Sequence, residues 1–186
     1  MNGVQSFDLS GSNCDVEIRG GGRFEDFSNG SGTVPKTGTG TWNFTTNNQT
    51  INGQNNSFNF ACNVVIATGI TVTVNGATGL IFSNTLNGAS STATFNNTGK
   101  VTYTGSSAPM STGKLYCNQT AGNTFIYGAL GNQDITVPSD TTPGYQNLTL
   151  SGSGAKRLLG NVSVKGTYTL TGPATLNSNG FALTNP

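Results

Sequence analysis

The run from Gln146 to Thr184 constrains the fold more than any other part of the chain, because one short β-word is written there again and again. Asn147-Leu-Thr-Leu-Ser-Gly152, Asn161-Val-Ser-Val-Lys-Gly166, Thr167-Tyr-Thr-Leu-Thr-Gly172, Ala174-Thr-Leu-Asn177 and Phe181-Ala-Leu-Thr184 follow one another, separated by Gly, Asn, Ser and Pro. Leu148, Leu150, Val162, Val164, Tyr168 and Leu170 alternate with Thr, Ser or Lys, the period-two pattern of half-buried strands. Words this short cannot each bury a face alone; they become stable when stacked on copies of themselves. The pattern predicts an all-β chain, a single-stranded parallel β-helix (β-solenoid) with almost no helix.

Similar words run back to residue 62, among them Ile70-Thr-Val-Thr-Val74, Gly79-Leu-Ile-Phe82, Val101-Thr-Tyr103 and Thr124-Phe-Ile-Tyr127. Two or three words per coil give coils of about 20 residues. Asn75, Asn84, Asn87, Asn96 and Asn97 sit at word ends, where stacked amides can form hydrogen-bond ladders. Trp42 and Phe44, like Phe58 and Phe60, share a strand face, which reads as core filling and not as an exposed aromatic strip. Val137-Pro-Ser-Asp-Thr-Thr-Pro-Gly144 interrupts the words and predicts a projecting surface loop.

Only 33% of the chain is hydrophobic and 8% is charged. Disorder of that composition normally carries a high net charge. Here the formal charge is +1 and Val, Ile, Thr and Phe recur in phase, so order is expected. Near-neutrality removes the electrostatic footprint of a nucleic-acid binder. No apolar run approaches the ~18 residues of a membrane span, so neither nucleic acid nor membrane insertion is expected. The basic residues are scattered; Lys156-Arg157 is the one adjacent pair and reads as a solvated turn. Asn2 to Ser6 lack the features of a signal peptide, which fits a mature piece or an expressed fragment and does not argue against secretion.

Cys14, Cys62 and Cys117 lie far apart, and the chain has no His. A zinc site or a Cys-His nucleophile would lack its usual partners, and no cofactor is expected. The three cysteines read as small buried residues, with a Cys14–Cys62 bridge open in an oxidising compartment. Residues 1–40 stand apart as an N-terminal capping segment, with 41–186 as one continuous solenoid domain. Cys14, Val16 and Ile18 alternate with Asp15, Glu17 and Arg19, the pattern of a strand with a wet face. Asp15, Glu17, Glu25 and Asp26 supply the oxygens a calcium ion wants, but they lack the spacing of a calcium loop. Arg19 and Arg23 lie among them, which favours a charged cap that shields the first coil's edge.

Gly40-Thr-Trp-Asn-Phe44, Gly69-Ile-Thr-Val-Thr-Val-Asn-Gly76, Tyr145-Gln-Asn-Leu-Thr-Leu-Ser-Gly152 and Asn161-Val-Ser-Val-Lys-Gly-Thr-Tyr-Thr-Leu170 resemble the repeats of large secreted or surface proteins of Bacteroidota, many of them adhesin-like β-solenoids exported by the type IX route. The resemblance covers about residues 40–186. It implies an extracellular or cell-surface setting and a right-handed coil, and it names no binding residue. The chain departs from the pattern in carrying no C-terminal secretion domain and in stopping just after a β-word, as a fragment or a subunit covered by another chain would. Asp140-Thr141-Thr142 resembles the short signal for O-glycosylation in these organisms, which makes Thr141 the candidate glycosylation site.

These readings favour a non-catalytic structural or adhesive solenoid, a stiff spacer or self-assembling surface element. Its partners would be further copies stacked end to end, neighbouring repeats of a longer chain, or a glycan. Two alternatives stand beside it. A carbohydrate-binding or polysaccharide-cleaving β-helix needs converging carboxylates, for which residues 40–186 offer Asp134 and Asp140 alone. Ice binding needs a flat Thr-x-Thr array. Thr71/Thr73, Thr92/Thr94, Thr102/Thr104 and Thr167/Thr169 suggest one, but the 21-residue step between the first two pairs leads next to Gly113/Leu115, where it fails.

Overall fold

The computed structural model describes residues 16–18, 22–25, 34–52, 58–75, 79–117, 120–140 and 144–185, with side chains from residue 40 onward except at 52 and 58. Among these residues the chain is all-β and has no helix. The strands are β1 (Val16–Ile18), β2 (Gly22–Glu25), β3 (Val34–Phe44), β4 (Gln49–Asn52), β5 (Phe58–Ile66), β6 (Thr71–Asn75), β7 (Leu80–Phe82), β8 (Leu86–Gly88), β9 (Thr94–Asn97) and β10 (Lys100–Tyr103). They continue with β11 (Lys114–Tyr116), β12 (Thr124–Tyr127), β13 (Gln133–Ile135), β14 (Gly144–Tyr145), β15 (Asn147–Leu150), β16 (Gly154–Leu158), β17 (Val162–Val164), β18 (Tyr168–Leu170), β19 (Ala174–Asn177) and β20 (Leu183–Thr184).

Every pairing between these strands is parallel, and each joins one turn to the next, which makes the chain a β-solenoid. The long sheet runs β1-β3-β5-β7-β10-β12-β15-β18, with β8 beside β5. A second sheet runs β11-β9-β6-β4-β2, and two short ones, β13-β16-β19 and β14-β17-β20, complete the later turns. Phe60, Phe82, Tyr103, Tyr127, Leu150 and Leu170 stand in one column, at steps of 22, 21, 24, 23 and 20 residues. The expected coil of about 20 residues is what the register shows.

The alternation predicted from sequence sorts the side chains. Trp42, Phe44, Phe60, Val72, Val74, Leu80, Phe82 and Phe95 are all buried, each contributing about 1.5–3 kcal/mol relative to exposure. Phe60 and Phe82 stack at 5.0 Å between ring centroids, and Phe82 meets Phe95 edge-on at 5.4 Å. Trp42, Phe44 and Phe60 therefore fill the core as expected, while the side chain of Phe58 lies outside those described. β1 and β2 pair with β3 and β4 in the same two sheets, and the expected division at residue 40 falls inside β3.

Asparagine forms the corners. Asn123 donates its side-chain amide to Asn97 O at 2.7 Å, and Asn147 donates to Asn123 O at 2.9 Å. Asn48, Asn87, Asn132, Asn147 and Asn161 use Oδ1 to accept a backbone N–H of the following turn, from Thr71, Thr112, Ala155, Thr167 and Ala182. A ladder exists: of the five residues expected to form it, Asn97 is a rung of the asparagine stack and Asn87 bonds the following turn.

Two expectations need correction. Lys156-Arg157 is no solvated turn: both residues lie in β16, with Lys156 fully buried. The alternation carries Lys156 inward and Arg157 outward. The predicted loop also does not project over its described part. Ser139 N donates to Leu115 O at 2.6 Å, Asp140 is buried, and Gly144–Tyr145 is a strand.

Candidate functional site

Of the residues singled out from sequence, Cys14, Asp15, Asp26 and Thr141 lie outside the described residues. Glu17 and Glu25 fall in β1 and β2. Cys62 is buried within β5, and Cys117 is a buried free thiol. Among the described residues no group of three or more His, Cys, Asp or Glu side chains comes together to hold a metal.

Asp134 and Asp140 point to opposite sides of the wall. Asp134 lies in the outward row of β13 and receives both Nε and Nη2 of Arg157 at 2.8 Å. Asp140 is 5% exposed and accepts the Cys117 N–H through Oδ2 at 2.9 Å, while its buried Oδ1 has no hydrogen-bond partner. Burial first, and then the nearby Asp140 charge, push the Cys117 thiol well above its usual range. The two carboxylates do not form the facing pair that glycoside hydrolysis uses.

Several other buried polar groups are tied to the backbone and to one another. The Tyr127 and Tyr145 hydroxyls meet at 2.8 Å, Tyr145 Oη donates to Thr136 O at 2.6 Å, and Thr136 N donates to Tyr127 Oη at 3.1 Å. Lys156 Nζ donates to the carbonyls of Ala129 (2.7 Å), Gly131 (3.0 Å) and Ser153 (3.0 Å). Burial lowers its pKa from the ordinary lysine value. These groups serve the coil.

The outer face of the long sheet is different. In-register pairing sets Asn59, Ile81, Thr102, Ile126, Thr149 and Thr169 in one column. Two residues along each strand, Ala61, Ser83, Thr104, Gly128, Ser151 and Thr171 form a second, and the amides from Ser83 to Thr171 continue the ladder by donating one turn back. Neither column holds a charge or an aromatic ring. Ser83 Oγ donates to Asn59 Oδ1 at 2.7 Å. The hydroxyls of Thr102, Thr104, Thr149, Ser151, Thr169 and Thr171 bond to no described protein group.

The threonine array read from sequence is thereby redrawn. Thr71 pairs with Thr94 and Thr73 with Asn96 on the second sheet, a 23-residue step instead of 21. Thr102 and Thr169 belong to the long sheet. Uniform spacing hid the true rows, because successive turns differ in length.

At the last rung the interior columns come into the open. Leu148 and Leu150 are fully buried, whereas their partners Tyr168 and Leu170 are half-buried and 44% exposed. Leu176 and Leu183 are half-buried, and Phe181 is 38% exposed. An open hollow of about 340 Å³ lies against β17 and β20, lined by Asn161, Val162, Ser163, Ala182 and Thr184. It contains no ionisable side chain. No family model, curated protein or solved structure matches the chain. Its class rests on its fold, that of a β-solenoid.

Proposed function

We propose that the chain is a non-catalytic structural solenoid of the cell surface or extracellular space, a stiff element that extends by accepting a further parallel rung at β18, β19 and β20. The carrying observation is that this rung has core-type residues in register with buried ones, yet Leu170 stays 44% exposed. In the described residues, β18, β19 and β20 each pair on one side only. An unpaired parallel edge above a half-covered apolar column is a template for more of the same structure. A second copy, or adjoining repeats of a longer chain, would supply it. The two uncharged outer columns suit a spacer that presents a largely neutral surface.

Light scattering and negative-stain electron microscopy across concentrations test the reading. Stacks or filaments are expected, and Leu170→Lys, which puts a charge into the junction, is expected to return them to monomers. A monomer at every concentration overturns assembly between copies and leaves adjoining repeats as the source of the rung.

A further inference from the structure

The outer face of the long sheet has three properties that its role as a wall does not require. Its hydroxyls at Thr102, Thr104, Thr149, Ser151, Thr169 and Thr171 bond to no described protein group, whereas Thr85, Thr98 and Thr136 elsewhere all donate to one; on the face itself Ser83 alone is tied, to Asn59. The columns are uncharged over six consecutive rungs. The grid is also closed where a side chain is missing. A methyl group placed on Gly128 would already touch Thr102 Cγ2 at 3.3 Å, Thr104 Cγ2 at 3.5 Å and Ser151 Oγ at 3.5 Å. Neighbouring side chains thus fill the gap.

We propose that this face binds ice, and this stands independently of the stacking reading above. Parallel strands fix the hydroxyl and methyl groups on a grid of about 4.8 Å between rungs and about 6.6 Å along each strand. A rigid two-dimensional array of weak, neutral donors and acceptors gains little from an irregular partner. It gains repeatedly from a lattice whose oxygens recur on the same scale, as those of ice do. Ile126 keeps the column β-branched where threonine is absent, so methyl groups continue across it. Charges would hold their own water shells and disrupt such a match; the two columns have none, and Lys100, on the same face of β10, stands beside them in register with Thr124. A crystalline polysaccharide is the competing neutral lattice. Sugar rings stack on exposed aromatic faces, but Phe60, Phe82, Tyr103 and Tyr127 of these strands all point inward.

The test is thermal hysteresis and partition into a slowly growing ice front, measured on the full chain. Wild type is expected to hold a freezing-point gap and to enter the ice. Thr149→Lys, at the centre of the grid, is expected to lose both while keeping its circular dichroism and unfolding midpoint. Thr73→Lys, on the outer side of the second sheet, is expected to retain both. Should Thr149→Lys fail to fold, Ser151→Lys replaces it. Plain ice growth by wild type overturns the proposal, as does equal loss in Thr73→Lys. Binding to crystalline cellulose that Thr149→Lys abolishes, without an ice signal, overturns it in favour of a polysaccharide.

Discussion

Gln133 and Lys156 pair in register on adjacent turns, and each aims its nitrogen at two carbonyls, spaced two residues apart, of the turn before. Gln133 Nε2 donates to Tyr103 O at 3.0 Å and Gly105 O at 2.8 Å; Lys156 Nζ donates to Ala129 O and Gly131 O, and adds Ser153 O. The corner turns its carbonyls inward, and a long polar side chain from the following rung satisfies them. A buried acceptor left unpaired costs about 1–3 kcal/mol. Lys156→Met keeps the stem and removes the donor, so a loss of roughly 3 kcal/mol or more is expected. Lys156→Gln, which imitates Gln133, should fall between Met and wild type. Urea midpoints at unchanged slope measure both.

Alkaline pH should act on stability in two opposite ways. Burial lowers the pKa of Lys156 below 10.5, so the unfolded chain holds that proton more tightly and stability rises with pH up to about the unfolded value. Tyr103, Tyr127 and Tyr145 are shifted the other way, upward from 10.0, chiefly by burial. Above that value the unfolded chain loses phenolic protons first and stability falls. Denaturant midpoints from pH 8 to 12 should show a shallow rise and then a steep decline. Lys156→Met should remove the rise alone, and Tyr145→Phe should soften the decline. A decline that begins well below pH 10 would contradict the assignment.

The strand words were legible because alternation is local. Thr124–Tyr127 and Ala174–Asn177 are strands with the boundaries the sequence implies, and the word from Asn147 to Gly152 holds the strand Asn147–Leu150. What was hidden depends on which residue lies one turn away. Lys156 reads as a surface charge until Ala129, Gly131 and Ser153 are known to lie beneath it. The outer grid was invisible for the same reason: Thr102 meets Thr149 through Ile126, at steps of 24 and 23 residues that no fixed period predicts. An inward-phased polar residue within a β-word, such as Gln133 or Lys156, was the signal available.

Cys117 should be inert in the folded chain. It is fully buried, and burial followed by the Asp140 charge raises its pKa, so thiolate is scarce as well as shielded. Pulsed alkylation read by mass spectrometry should label it only through the unfolding transition, in step with the loss of β-signal. Labelling under native conditions at the rate of a small thiol would show that the wall beside Asp140 opens locally.

Gly69 and Gly152 have nearly the same positive φ, +75° and +77°, in different surroundings. A Cβ on Gly69 would meet nothing within 4 Å, whereas one on Gly152 would run into the carbonyl oxygens of Ala129 and Gly128 in the turn below. Gly69→Ala therefore carries only the left-handed backbone cost, about 1–2 kcal/mol. Gly152→Ala adds a collision with backbone that two stacked turns hold in place, and should exceed ~3 kcal/mol or prevent folding, in the range reserved for steric disruption of a core. Paired urea denaturation separates the two effects. Equal losses at both sites would mean that the turns can part at Gly152, and that the stack there is looser than the contact with Ala129 implies.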